Sequence, residues 1–410
     1  MPKVPRVVIF FTLCVFCLFV VGSGVTVAVD AFQDGNSDQE TIETVEDSTN
    51  YLSPAVETDD QYQEVSIDVA SAVDSSAQEL QTEHDIRSFT RELQFVDGIE
   101  TQGELGQKRL EVVEGRYLAL DQRQQALFEQ YSTGEMSSNR FARELVRLGT
   151  AIKTQRSYRE RIFTEVYDGR PTAPSEDFQR RFNSLELSLT PEQPVTERLR
   201  SAMTGAGDPA LVYSQSAEEV LVLATIDDET YVRQATLRDE RNLGAEDQFT
   251  DLWRDATNRA GSLYPWAFSS ENLRDVDPFN LEVYSQVYAV RAQHSHGELS
   301  VYLDGATRNV FHENQLKRVQ SLPVTQSVQN ESDDLVGNVS LTNGAGPMLV
   351  SVTDDAGAPI EDASIIVDSD PVGLTDSDGE LWVVQPSGEA EVGITTEGDE
   401  TVSVQIPESD

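Results

Sequence analysis

Cysteine, lysine and histidine are scarce in this chain, and each shortage removes a class of chemistry. Both cysteines, Cys14 and Cys17, lie in one apolar stretch near the N-terminus. The rest of the chain has no thiol, which excludes disulfide staples, zinc–thiolate sites and thiol nucleophiles there. The C-x-x-C spacing itself is read as small apolar residues in a hydrophobic segment, because a metal site would need ligands the segment lacks. Lys3, Lys108, Lys153 and Lys317 are the only lysines, and arginine supplies the rest of the 30 basic residues. No long basic face results, which argues against a nucleic-acid partner. No serine sits in a G-x-S-x-G elbow, and no glycine-rich phosphate loop precedes a helix. His312-Glu313 opens like a zincin signature, but Leu316 stands where the second histidine is needed.

What the chain has in abundance is acid. Its 72 acidic residues leave a net charge of −42, spread over every segment. Such charge repels itself in dilute buffer. In molar salt the Debye length falls to roughly 3 Å and the repulsion is screened, so a salt-adapted protein is expected. Residues 7–21 (VVIFFTLCVFCLFVV) follow Lys3 and Arg6, and no charge appears before Asp30. Residues 1–29 therefore read as a secretory signal or, if uncleaved, as a membrane anchor with the acidic body outside.

Composition and periodicity divide the remainder, and the expected fold class is multidomain α+β. Residues 30–63 are acidic and aperiodic and read as a linker. Residues 64–168 form a helical, coiled-coil-like antiparallel bundle. Its seams are Ile86, Phe89, Leu93 and Val96, then Leu110, Val113, Tyr117, Leu120, Leu127 and Tyr131 with Gln124 as the polar position of that run, then Phe141, Leu145, Leu148, Ile152, Gln155, Ile162 and Val166. Such helices could pair with a second copy as a homo-oligomer, but short breaks favour neighbours within one chain. Residues 169–217, rich in proline and glycine, read as a linker with one short helix around 192–203. Residues 218–325 are expected to be a small α+β domain with an antiparallel sheet. Glu219–Ile226 and Leu281–Arg291 read as strands, Thr230–Arg238 is ambiguous, and Phe249–Leu263 is an amphipathic helix stopped by Tyr264-Pro265-Trp266. Asp304-Gly305 predicts a two-residue hairpin turn between Leu299–Leu303 and Ala306–Phe311. Residues 326–346 read as a polar linker carrying two glycosylation candidates, Asn330 and Asn338. Residues 347–410 alternate as short strands and are expected to form a β-sandwich.

The last segment, through LVSVTDDAGAPIEDASIIV (349–367) and GLTDSDGEL (373–381), resembles carboxypeptidase regulatory-like (transthyretin-like) modules. That resemblance implies an accessory role and no catalytic residues. Through Tyr264-Pro265-Trp266-Ala267, Tyr302-Leu303-Asp304-Gly305 and Val310–Gln315, the chain is similar to uncharacterised exported proteins of salt-loving archaea, a likeness that implies no activity.

Among side chains with chemistry, His294, His296 and His312 stand out. If Leu303 pairs with Ala306, Gly297 lies opposite His312 and the three imidazoles approach one another, with Glu298 and Glu313 nearby. Asp376, Asp378 and Glu380 read as turn residues rather than a calcium loop. The leading expectation is an exported, non-enzymatic binding or structural protein of the cell envelope, without a cofactor. It would have a protein partner there and lie at the extracellular face of the membrane or be secreted. The alternatives are a metal-dependent sensor or enzyme using His294, His296 and His312, and a regulator or inhibitor of an exported peptidase.

Overall fold

A computed structural model describes residues 39–407 apart from 97, 168–172, 185–192, 243, 280–285, 333 and 344. The apolar N-terminal segment lies outside the described residues. Strands β1 (Ile42–Glu43), β2 (Tyr51–Leu52) and β3 (Asp59–Val65) come first, followed by helices α1 (Val69–Gln94), α2 (Ile99–Ser132) and α3 (Ser138–Tyr167). Shorter helices α4 (Glu176–Ser184) and α5 (Pro194–Thr204) lead to β4 (Ala210–Ala217), β5 (Val220–Asp227) and β6 (Thr230–Leu237). Helix α6 (Leu252–Leu263) precedes β7 (Leu273–Phe279), β8 (Val287–His294), β9 (Gly297–Asp304) and β10 (Val310–Arg318). The C-terminal strands are β11 (Gln326–Ser332), β12 (Leu335–Leu341), β13 (Pro347–Asp354), β14 (Ser364–Val367), β15 (Asp370–Leu374), β16 (Glu380–Val384), β17 (Ala390–Thr395) and β18 (Thr401–Ile406). The fold class is the expected one: a multidomain α+β chain with a helical bundle, an antiparallel α+β sheet and a terminal β-sandwich.

An eight-stranded antiparallel sheet in the order β3-β4-β5-β6-β10-β9-β8-β7 is the centre of the molecule. One face, through Val212, Leu221 and Leu223, packs against α2, α3 and α5. The other, through Val222, Val290, Leu299 and Val301, packs against α6 and Leu52. Near β4–β6 this second face also meets the sandwich, where Tyr213, Ala224 and Tyr231 touch Val384. Coverage on both faces explains why β5 reads as an unbroken apolar run rather than an alternation.

The bundle follows its seam. Every apolar position assigned to α2 and α3 is buried, and Gln124, the polar residue of the α2 seam, accepts from Arg238 Nη1 at 3.0 Å. The first two-thirds of α1 runs the other way. Ser71, Ser75 and Thr82 face inward while Val69, Val73 and Leu80 face outward. Ser75 Oγ meets Thr150 Oγ1 at 3.4 Å. Small hydroxyl side chains let two helices approach closely while bonding to each other, so apolar periodicity is absent there.

Four expectations are corrected. Residues 39–63 are part of the fold: β1 and β2 form a strap across the sheet, with Ser48, Thr49 and Leu52 fully buried, and β3 is an edge strand of the sheet. Residues 210–217, read as linker, are β4 in the same sheet. Residues 326–341, also read as linker, are the β11–β12 hairpin. Leu335, Val339 and Leu341 alternate inward there, and intervening asparagine and serine on the outer face hid the pattern. Finally, Asp304-Gly305 makes no two-residue turn. Leu303 pairs with Val310 across a longer loop, in which Arg308 takes the left-handed conformation at φ 63°. Asp304 is buried, and its carboxylate accepts from the backbone N–H of Asn242 and Thr307, at 3.2 and 3.0 Å. Anchoring to residue 242 wins over the local turn preference.

Candidate functional site

The corrected hairpin register separates the three histidines. Gly297 pairs with His294 on one side and Lys317 on the other, whereas His312 pairs with Tyr302. Five residues along β9 are about 17 Å, and the odd offset puts His312 on the opposite face. There its Nδ1 bonds Thr236 Oγ1 at 2.9 Å. His294 and His296 do meet, at the turn between β8 and β9. Trp266 packs against both rings, at centroid distances of 5.5 and 4.5 Å, and the His296 N–H donates to His294 Nδ1 at 3.3 Å. Burial, helped by the charge of Lys317, pulls the His294 imidazole down to about 3. No group of three or more His, Cys, Asp or Glu side chains placed to hold a metal occurs among the described residues. The loop at Asp376 is a turn, its carboxylate accepting from the N–H of Asp378 and Glu380.

Asn330 and Asn338 stand on β11 and β12 rather than on a tether. The Asn330 amide nitrogen, where a glycan would attach, donates to Ser403 O at 2.7 Å.

The sheet face beneath the strap carries a buried charged row. Glu313 is fully buried and satisfied four times: Arg233 Nη1 at 3.1 Å and Gln315 Nε2 at 2.9 Å donate to Oε1, and Leu52 N at 2.9 Å and the Tyr264 hydroxyl at 2.7 Å to Oε2. Arg233 also donates to Leu52 O at 2.7 Å. In sequence neither residue announces a site. One sits in a strand of mixed character and the other in the abandoned zincin-like pair. Lys317, further along β10, is 2% exposed, and its ammonium makes no hydrogen bond or ion pair among the described residues. Burial brings its ammonium down to about 7, with Glu313 opposing.

Where strap, sheet and sandwich meet, a cleft of about 520 Å³ opens, within the ordinary range of ligand pockets. Tyr51 comes from β2, Tyr213 from β4, Tyr231 from β6 and Gln385 from just after β16, and all four are buried. Burial holds the three phenols above the usual tyrosine range, so they stay neutral. Tyr213 donates to Asp60 Oδ2 at 2.5 Å, and Asp60 also accepts from Ser387 Oγ at 3.0 Å. The Tyr231 hydroxyl donates to Ala345 O. These bonds hold the sandwich to the sheet and fix the walls of the cleft. Sequence reasoning missed this site because two of its four contributors lie in segments read as linkers.

Three family profiles match separate stretches. Residues 3–158 match a domain of unknown function (DUF7096), and residues 212–323 match a family of unknown function (DUF7094). Residues 326–403 match the archaeal fibronectin-III type-like domain. The C-terminal sandwich is similar to archaeal fibronectin-III-type domains. This replaces the carboxypeptidase regulatory-like resemblance, and the match starts at β11, in keeping with the corrected boundary. The first two matched regions share one sheet, since β3 belongs to one and β4 to β10 fall within or overlap the other. No curated protein and no solved structure matches the chain.

Proposed function

We propose that this chain is an exported, salt-adapted, non-enzymatic binding and structural protein of the cell envelope. Its body would lie at the extracellular face of the membrane, or be released if the leader is cleaved. The observation that carries the reading is the uncharged apolar stretch from Val7 to Val29, preceded by Lys3 and Arg6 and followed by a strongly acidic chain. The described part of the segment expected to be a spacer is built into the sheet, and it begins at Gln39, ten residues after the uncharged stretch ends at Val29. If that stretch is retained in a membrane, the strap follows it within ten residues of chain. Bracing of the parts also supports a presenting or binding role. The helices share β3 with the sheet, and the sandwich is tied to it through Asp60, Tyr62 and Tyr231. The acidic surface suits a body working in concentrated salt.

Fractionation of cells carrying the full chain with a C-terminal tag tests this. The tag is expected in the membrane fraction or the medium, cleavable by protease added to intact cells. A tagged chain soluble in the cytosol with its first thirty residues intact defeats the reading.

A further inference from the structure

The cleft between strap, sheet and sandwich has a floor of tyrosine rings, and several of the polar groups that line it have no partner among the described residues. Gln385 is 4% exposed, and its Oε1 has no hydrogen-bond partner. Gln215, in the middle of β4, lines the same cleft, and neither its side chain nor the Tyr51 hydroxyl makes a hydrogen bond among the described residues. Leaving a buried polar atom unpaired costs on the order of 1–3 kcal/mol, so a cluster of such atoms in a cleft marks a place where a guest completes the bonding.

Charge narrows the guest. Glu43 and Glu57 line the cleft, and nothing offsets them there except Arg233. The Arg233 guanidinium lies 5.2 Å from the centre of the Tyr51 ring and is already matched by Glu313. Both carboxylates are solvent-exposed, where concentrated salt screens them, and the guanidinium is neutralised by Glu313. The groups left for a guest to bond are therefore neutral, and a charged guest would shed its water there without a counter-charge. The free groups include an amide acceptor (Gln385 Oε1), an amide offering both donor and acceptor (Gln215) and a hydroxyl (Tyr51). That set suits a molecule whose edge carries several hydroxyls, and the aromatic floor suits one whose faces carry C–H groups.

We infer that this cleft binds a neutral pyranose, either as a free sugar or as the end of a neutral glycan. The inference rests on the reading of the chain as a binding protein, but not on where the chain resides.

Saturation-transfer NMR on the full chain in concentrated potassium chloride tests it. The probes are methyl glucoside, methyl mannoside, N-acetylglucosamine and maltotriose, with glucuronate and glucosamine as charged controls. Saturable transfer to at least one neutral probe is expected, with glucuronate and glucosamine bound at least fivefold more weakly. Gln385→Leu should weaken binding about tenfold while leaving the unfolding midpoint unchanged or raised, and Tyr51→Leu should weaken it as much. Maltotriose binding more tightly than the monosaccharides points to a glycan end, and equal binding to a free sugar. No transfer to any of the four neutral probes overturns the inference, as does transfer that survives both substitutions. Cell fractionation is read independently, so failure of the sugar site and failure of the envelope reading are distinguishable.

Discussion

Val339, Val350, Ile365, Val392, Ile394 and Val404 fill the C-terminal sandwich, all fully buried and all apolar. The central sheet is buried as thoroughly, yet the row beneath its strap holds Arg233, Glu313, Gln315 and Lys317. The sandwich core needs only that each strand alternate, a property every strand carries locally. The charged row needs partners from far away: Asn50 and Leu52 from the strap and Tyr264 from the end of α6. A buried ion pair adds little by itself, but stranding one member is costly. The central sheet is therefore specified by its surroundings, and the sandwich by itself.

The sharpest way to break this comparison is Glu313→Gln, which strands Arg233. It is expected to cost about 3–5 kcal/mol in denaturant unfolding measured in high salt. A loss under about 1 kcal/mol would mean that the row is solvated and the contrast false, on the scale of surface pairs.

Acid should act next. The folded-state pKa of His294 lies near 3, below its ordinary 6.5, because burial disfavours the imidazolium. Its contribution to stability is present above pH 6.5 and is lost as pH falls toward 3. His296 is lowered in the same direction. Between pH 6.5 and 5, before most carboxylates titrate, the loss from His294 should be about 2 kcal/mol. His294→Asn should flatten that slope. An unchanged slope would show that the ring is hydrated in solution.

In the sandwich, Ile365→Val should cost about 1 kcal/mol, the ordinary penalty for one buried methylene. A cost near that of Glu313→Gln would erase the difference between the two regions. The smallest effect is expected on the outer side of α1. Leu80→Glu should change stability by less than about 0.5 kcal/mol, because the Leu80 side chain is largely exposed. A larger loss in a concentration-dependent assay would reveal a second copy covering that face.

Legibility followed the same divide. The seams of α2 and α3 and five of the sandwich strands could be read because their apolar residues recur at a fixed period. The hairpin after Leu303 could not, since Asp304 is claimed by Asn242 rather than by its own turn. The strap could not either, because Gln39, Asn50 and Leu52 find their partners at Val310, Leu263 and Glu313. The histidine grouping failed through that one misplaced register. The junction cleft had no sequence signal beyond scattered tyrosines.

By itself the sequence determined a thiol-free, strongly acidic chain behind an apolar N-terminal stretch, and the helices and strands whose cores repeat at short range. Only the tertiary structure decided that apparent linkers are strands, that Glu313 and Arg233 share a buried bond, and that three remote tyrosines floor one cleft. The physical reason is that apolar burial needs no particular partner and so leaves a local period. A buried polar group needs one specific partner, and chain folding alone brings that partner within reach.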